Sequence, residues 1–190
     1  QDFDGGDYIN GDNAPVTGST NRTITFWINP DTVGATSTHH LMDGGSLSTG
    51  QQVNFRIQST NLTIGIYGGS TVSSLSPTAS SWNFVGYKLD GTTFNDVTFY
   101  LDTSTDSGSG TNTFNSSSGT TLTLAQDIRR DSNNAFAGIM DEVHISNIAR
   151  TDGWIATEYA NQNSPSTFVI EGSEEVVSGG ISASKRIINC

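Results

Sequence analysis

"GIMDEVHISNIAR", residues 138–150, is the stretch whose reading decides the fold. On an extended backbone successive side chains point to opposite faces. That alternation puts Ile139, Asp141, Val143 and Ile145 on one face and Met140, Glu142 and His144 on the other. The first face is mostly apolar, so it is predicted to look into a core, with Asp141 among apolar side chains and Glu142 turned away. A buried carboxylate is tolerated only where hydrogen bonds or a cation compensate it. Because neighbours on a strand diverge, Asp141 and Glu142 read as two separate residues and not as a catalytic pair.

The same period of two runs outward along the chain. In Thr23–Pro30, Ile24, Phe26 and Ile28 fall on one face, and Pro30 closes the strand. Val53–Ile57 and Leu62–Tyr67 follow, separated by the turn-forming Gln58-Ser-Thr-Asn61. Trp82–Leu89 leads into Asp90-Gly91, a hairpin signal, and then Val97–Leu101. Leu122–Leu124 and Ala137–Ile145 resume the pattern, and Thr167–Ile170 reads as a last strand. Thr103–Thr121, rich in Ser, Thr, Gly and Asn, is expected to be a mobile surface excursion with little to bury. One segment is predicted helical, Thr151–Ala160, opened by a Thr or Asp cap, with Ile155 and Tyr159 one turn apart.

Evenly spaced strands between polar turns predict an all-β sandwich or barrel. A chain of 190 residues is long enough for one good core. Residues 1–170 are assigned to it, and residues 171–190, with Gly179-Gly180 ahead of a strand-like Ile181–Ile188, to a C-terminal tail or linker. Lys and Arg number 8 against 19 Asp and Glu, for a net charge of −11, which disfavours nucleic-acid and anionic-lipid partners. No apolar run approaches the roughly 18–20 residues a membrane-spanning helix needs. The single cysteine, Cys190, allows neither an internal disulfide nor a cysteine-based zinc site.

Five pieces in order then resemble one family. They are FDGGDYI (Phe3–Ile9), ITFWINP (Ile24–Pro30), SSWNFVGYKLDG (Ser80–Gly91), FAGIMDEVHISNIAR (Phe136–Arg150) and WIATEYANQNSPSTF (Trp154–Phe168). Together they resemble the laminin-G-like, concanavalin A-like jelly-roll domains of secreted proteins. The resemblance implies an antiparallel jelly-roll β-sandwich with one short helix near its C-terminal end. It also implies that Trp27, Trp82 and Trp154 pack the fold. Members often hold a calcium ion between the opening turn and the acidic strand. Asp4, Asp7 and Asp141 are therefore the expected ligands of a structural Ca²⁺, hard oxygen donors of the right kind. The alternative is that Asp141 accepts backbone N–H bonds from that turn without a metal. The Glu-x-Asp-x-x-Glu arrangement of β-glucanases with this fold is absent, and no hydrolase motif replaces it, so no enzyme activity is expected.

For a saccharide ligand the sequence offers an outward ring at Tyr67, Tyr87 or Tyr100 and polar loop groups at Asp43, Asn133 and Asn134. Arg129 and Arg130, between Asp127 and Asp131, either bind an acidic sugar or neutralise the neighbouring acids, and the latter is expected. His39-His40 reads as solvated loop. The expected function is a non-catalytic, secreted or cell-surface module that binds a glycan or mediates adhesion. The alternative is a structural subunit of an extracellular filament or surface assembly, self-associating by strand pairing through residues 171–190.

Overall fold

The computed structural model describes residues 1–11, 17–34, 38–118 and 121–168. The chain divides into Gln1–Arg150 and Thr151–Cys190, described in turn. The described residues of the first unit form β1 (Asp2–Asp4), β2 (Ile9–Gly11), β3 (Arg22–Pro30), β4 (Thr38–Gly45), β5 (Gln52–Gln58) and β6 (Asn61–Ile66). They continue with β7 (Gly69–Val72), β8 (Asn83–Leu89), β9 (Val97–Leu101), β10 (Ser104–Ser107), β11 (Leu122–Leu124) and β12 (Ala137–Ser146). Two antiparallel six-stranded sheets result, ordered β1-β12-β3-β8-β9-β10 and β2-β11-β4-β5-β6-β7. The expected jelly-roll sandwich is the observed architecture.

The core lies between the sheets and follows from the alternation. Ile24, Phe26 and Ile28 of β3 are buried with Val53, Phe55 and Ile57 of β5 and Leu62, Ile64 and Ile66 of β6. Phe55 sits at its centre, with ring centroids 5.7 Å from Phe26 and 5.4 Å from Tyr87. Each such buried ring contributes on the order of 2–3 kcal/mol. Thr103–Thr121 differs from expectation. It supplies the edge strand β10, and Phe114 is fully buried, edge-on to Phe94 at 5.3 Å. Phe114 anchors that segment together with backbone hydrogen bonds, from Gly108 N to Val97 O at 2.8 Å and from Asn115 N to Gly50 O at 2.9 Å among them. The Asp90-Gly91 signal opens a longer connection, residues 90–96, which includes a 3₁₀ turn at Phe94–Asp96 before β9.

β12 also departs from the simple alternation. Its pairing with β3 shifts by one residue between Asp141 and His144, a β-bulge, and Glu142 there has φ 50°. Ahead of the bulge Met140 faces the core, with Ile139 and Asp141 exposed on the other side. Beyond it Val143 and Ile145 pack against the core. The extra residue inverts the parity, so the inward-facing Asp141 expected from uninterrupted alternation is corrected to a surface residue. Glu142 and His144 lie outward as expected, Glu142 Oε2 3.5 Å from His144 Nε2.

In the second unit α1 spans Asp152–Asn163, and the Thr151 hydroxyl caps it by accepting from Trp154 N at 3.2 Å. Ile155 is buried and Tyr159 half-buried. α2 (Pro165–Phe168) occupies the start of the expected strand Thr167–Ile170, with Pro165 in the first helical position that proline favours. Residues 169–190, and with them the expected tail strand, lie outside the described residues. Among the described residues no helix is long and apolar enough to cross a membrane.

Candidate functional site

The outward row of β5 is Gln52, Asn54, Arg56 and Gln58, the polar complement of the inward Val53, Phe55 and Ile57. The outer face of a sheet is ordinarily solvated, yet Gln52 and Asn54 are buried. A cavity of about 340 Å³ opens over this row. Thr38 and His40 of β4 line one side, Tyr67 and Gly68 another, and Asp127, Arg129 and Asn134 come from the segment between β11 and β12.

Two local devices set the floor. The pairing of β4 with β5 shifts by one residue between His40 and Met42. That bulge buries Leu41 and Met42 consecutively and leaves both His40 and Asp43 on the outer face, with His40 Nδ1 3.4 Å from Asp43 Oδ2. The second device is Gly65, paired with Asn54. A Cβ there would collide with Arg56 Nη1 and lie 2.7 Å from Asn54 Oδ1, so a bare backbone makes room for both side chains.

The polar groups form a connected set. Arg56 donates from Nε and Nη2 to Gln58 Oε1, at 3.2 and 2.7 Å, and from Nη1 to Asn54 Oδ1. Asp43, fully buried, accepts from Gln52 Nε2 and from Ile128 N, the latter at 3.2 Å. Burial works against the Arg56 charge and lowers its pKa, while the Asp43 carboxylate acts the other way. Asp127, also buried, accepts from Asp131 N at 2.9 Å and Asn134 Nδ2 at 3.1 Å, which pins the overlying segment. Tyr67, 39% exposed, presents its ring at the rim.

Of the ligand-binding residues expected from sequence, Tyr67, Arg129 and Asn134 are brought together around this cavity, and Asp43 lies beneath it as support. Arg130 instead stacks over the Tyr8 ring at 4.9 Å, and Asn133 hydrogen-bonds to Asp131. Tyr87 and Tyr100 are buried, which removes them as outward platforms. The expected neutralisation of Asp127 and Asp131 by the arginines is replaced by amide donors. His39 and His40 are buried on β4 and not solvated. Trp82 and Trp154 are 47% and 37% exposed, and Trp27 lies half-buried against Phe84, ring centroids 5.5 Å apart.

Sequence reasoning missed Gln52, Asn54, Arg56, Gln58 and His40. The signal was the outward row of β5, four consecutive outward positions filled by long polar side chains in place of the short Ser and Thr common elsewhere in the chain.

Asp4, Asp7 and Asp141 do not form one cation site. Asp4 pairs with Ala137, four residues along β12 from Asp141, a separation of about 13 Å at the strand rise. Asp4 Oδ1 accepts from Gly6 N at 2.8 Å, and Asp141 Oδ1 from Glu142 N at 2.9 Å. Among the described residues no group of three or more His, Cys, Asp or Glu is placed to hold a metal ion.

A family profile, that of the concanavalin A-like lectin/glucanases superfamily, matches residues 3–156. No curated protein sequence matches the chain. Among solved structures, domain 4 of AbnA, an extracellular arabinanase from Geobacillus stearothermophilus, in complex with arabinotriose, superposes with a TM-score of 0.65 at 17% identity, covering 84% of this chain and 75% of that one. A heptameric SAP-like pentraxin from Limulus polyphemus gives 0.58 at 13% identity over 83% of each chain. The CBM40 of a Ruminococcus gnavus sialidase, bound to α2,3-sialyllactose, gives 0.59 at 9% identity, covering 80% and 97%. At these identities the structures establish the shared fold. The profile match establishes the family, and the chain belongs to the concanavalin A-like lectin/glucanases superfamily.

Proposed function

We propose that this member of the concanavalin A-like superfamily is a non-catalytic saccharide-binding module, and that its site is the cavity over β5. One observation carries the reading: a preformed cavity of about 340 Å³ combines a ring at its rim with converging amide and guanidinium groups. Sugar hydroxyls both donate and accept, so they need both kinds of partner in fixed positions. Asn54 Oδ1 keeps one lone pair beside its bond from Arg56, while Arg56, Arg129, Asn134 and the Gln58 amide nitrogen supply N–H groups. The volume sits at the lower end of small-ligand pockets, roughly 300–1,000 Å³, suiting one or two sugar residues. Tyr67 offers a face on which the C–H side of a sugar ring can lie.

The absence of catalysis rests on the same lining. Glycosidic hydrolysis ordinarily uses two carboxyl groups about 5–9.5 Å apart across the bond. Among the described residues Asp127 is the one carboxylate that lines the cavity, and both its oxygens accept protein hydrogen bonds. An extracellular setting follows from the reading, since the domains with which this chain shares its fold include carbohydrate-binding ones.

The test is a glycan array with the whole chain and with Tyr67→Ala. Binding by the parent, weakened about tenfold or more in the variant at unchanged melting temperature, is expected. A blank array, or binding indifferent to Tyr67, overturns the assignment.

A further inference from the structure

We infer that the saccharide bound in this cavity is an acidic one, whose carboxylate is held by the Arg129 guanidinium with Arg56 beneath it; the inference rests on the saccharide reading above. The starting point is a mismatch in charge pairing. Acids outnumber Lys and Arg 19 to 8, so a cation on this chain has carboxylates in excess to choose from. Six of the eight cations fall within residues 1–150, and two of them, Arg56 and Arg129, line this single cavity.

Neither is hydrogen-bonded to a carboxylate. Arg56 spends three of its five N–H groups on the neutral amide oxygens of Gln58 and Asn54 and keeps two unspent. Arg129 is exposed and makes no hydrogen bond or ion pair among the described residues. The nearby acids are engaged elsewhere: Asp43 with Gln52 and Ile128 N, Asp127 with Asp131 N and Asn134, Asp131 with Asn133. Asp127 is thus the one lining carboxylate that opposes an anion, and its oxygens are turned to protein donors.

A planar guanidinium with paired N–H groups matches a carboxylate in geometry and charge, and such bonds are roughly twice as strong as neutral ones. Arg22 shows the contrast. It too lacks a carboxylate, but it is fully buried and its donors are taken by the carbonyls of Thr20 and Gly18 and the hydroxyl of Ser116. Its guanidinium is spent within the fold, whereas those of Arg56 and Arg129 face a cavity. A net charge of −11 repels polyanions in general, so an acidic glycan would bind here through the site and not through a basic surface.

The experiment compares binding of the whole chain to polygalacturonate, alginate, hyaluronate and polysialic acid, each beside its carboxyl-reduced form. At least one acidic polymer is expected to bind about tenfold or more tightly than its reduced form. Which one binds separates uronate from sialate. The advantage is expected to vanish in Arg129→Gln, an exposed position whose substitution leaves the melting temperature in place. Reduced polymers that bind as well as their parents, and lose binding in Tyr67→Ala, overturn the carboxylate assignment while the saccharide site stands. No binding to any of the eight polymers, or an acid preference that survives Arg129→Gln, also overturns it.

Discussion

The side-chain amide of Gln52 reaches both carboxylate oxygens of Asp43, Nε2 lying 3.0 and 2.8 Å from them, under the floor of the cavity. Ile128 N donates to the same carboxylate at 3.2 Å, so Asp43 ties β4 and β5 to the segment that roofs the site. Replacing Asp43 with alanine leaves a buried amide and a backbone N–H without acceptors. The expected cost is about 2–4 kcal/mol in unfolding free energy, read by urea titration. A loss under about 1 kcal/mol would mean that water takes over both bonds and that Asp43 is not the tie described.

Gly65 controls the floor without touching a ligand. In Gly65→Ala the new methyl occupies space held by the far ends of Arg56 and Asn54, both flexible enough to move. The fold is expected to persist with a small change in melting temperature, while saccharide affinity falls about tenfold as the guanidinium is displaced. Affinity electrophoresis beside a thermal melt checks this. Unchanged affinity would show that Arg56 does not contribute to binding where it now lies.

The architecture was legible because it depends on alternation, and alternation survives in any sequence that pairs a core face with a wet one. Phe26 against Phe55 and the amphipathic β5 needed no other information. The cavity was less legible because bulges decide it. Nothing in Leu41-Met42 or Asp141-Glu142 signals which strand takes an extra residue. Yet those shifts bring His40 and Asp43 to one face and send Asp141 to the surface. Tyr67, Arg129 and Asn134 were found by residue type, whereas Arg56 was read only as the polar half of a strand.

The acid limb of stability is expected to trace to Asp96 and Asp106. Asp96 accepts from Thr92 N and Thr93 N, each at 2.8 Å, and from the Thr93 hydroxyl at 2.9 Å. Asp106 accepts from Ser74 N at 2.6 Å and its hydroxyl at 2.8 Å. These bonds favour the ionised forms and hold both carboxyls below the ordinary 3.8, those from Thr93 and Ser74 N being the largest causes. The folded pKa values are depressed, so the stabilisation is fully present above the unfolded value near 3.8 and fades as pH falls through the folded ones. Asp96→Asn and Asp106→Asn should therefore be less stable than the parent at pH 6 and converge on it as pH falls through the depressed folded values, in melts taken across that range. A constant offset would assign the effect to lost shape instead of charge.

The bulge in β12 gives the sharpest test of the fold, because one residue there sets the facing of the rest of the strand. Glu142, at φ 50°, occupies the left-handed region, where a side chain costs about 1 kcal/mol and glycine costs little. Its carboxylate is exposed, close to His144 alone among the groups described for it, so little is lost with the side chain. Glu142→Gly is expected to keep the fold and raise stability by up to about 1 kcal/mol. Deleting residue 142 is the stricter test. It removes the one extra residue, so that Val143 falls opposite Phe26 between the existing pairs Asp141–Trp27 and His144–Thr25, and Met140, Val143 and Ile145 all keep facing the core by simple alternation. That deletion should keep cooperative unfolding, read by near-ultraviolet circular dichroism through a thermal melt. A deletion variant that loses its sharp melt would show that the fold needs the bulge itself and not only the facing of Met140, Val143 and Ile145.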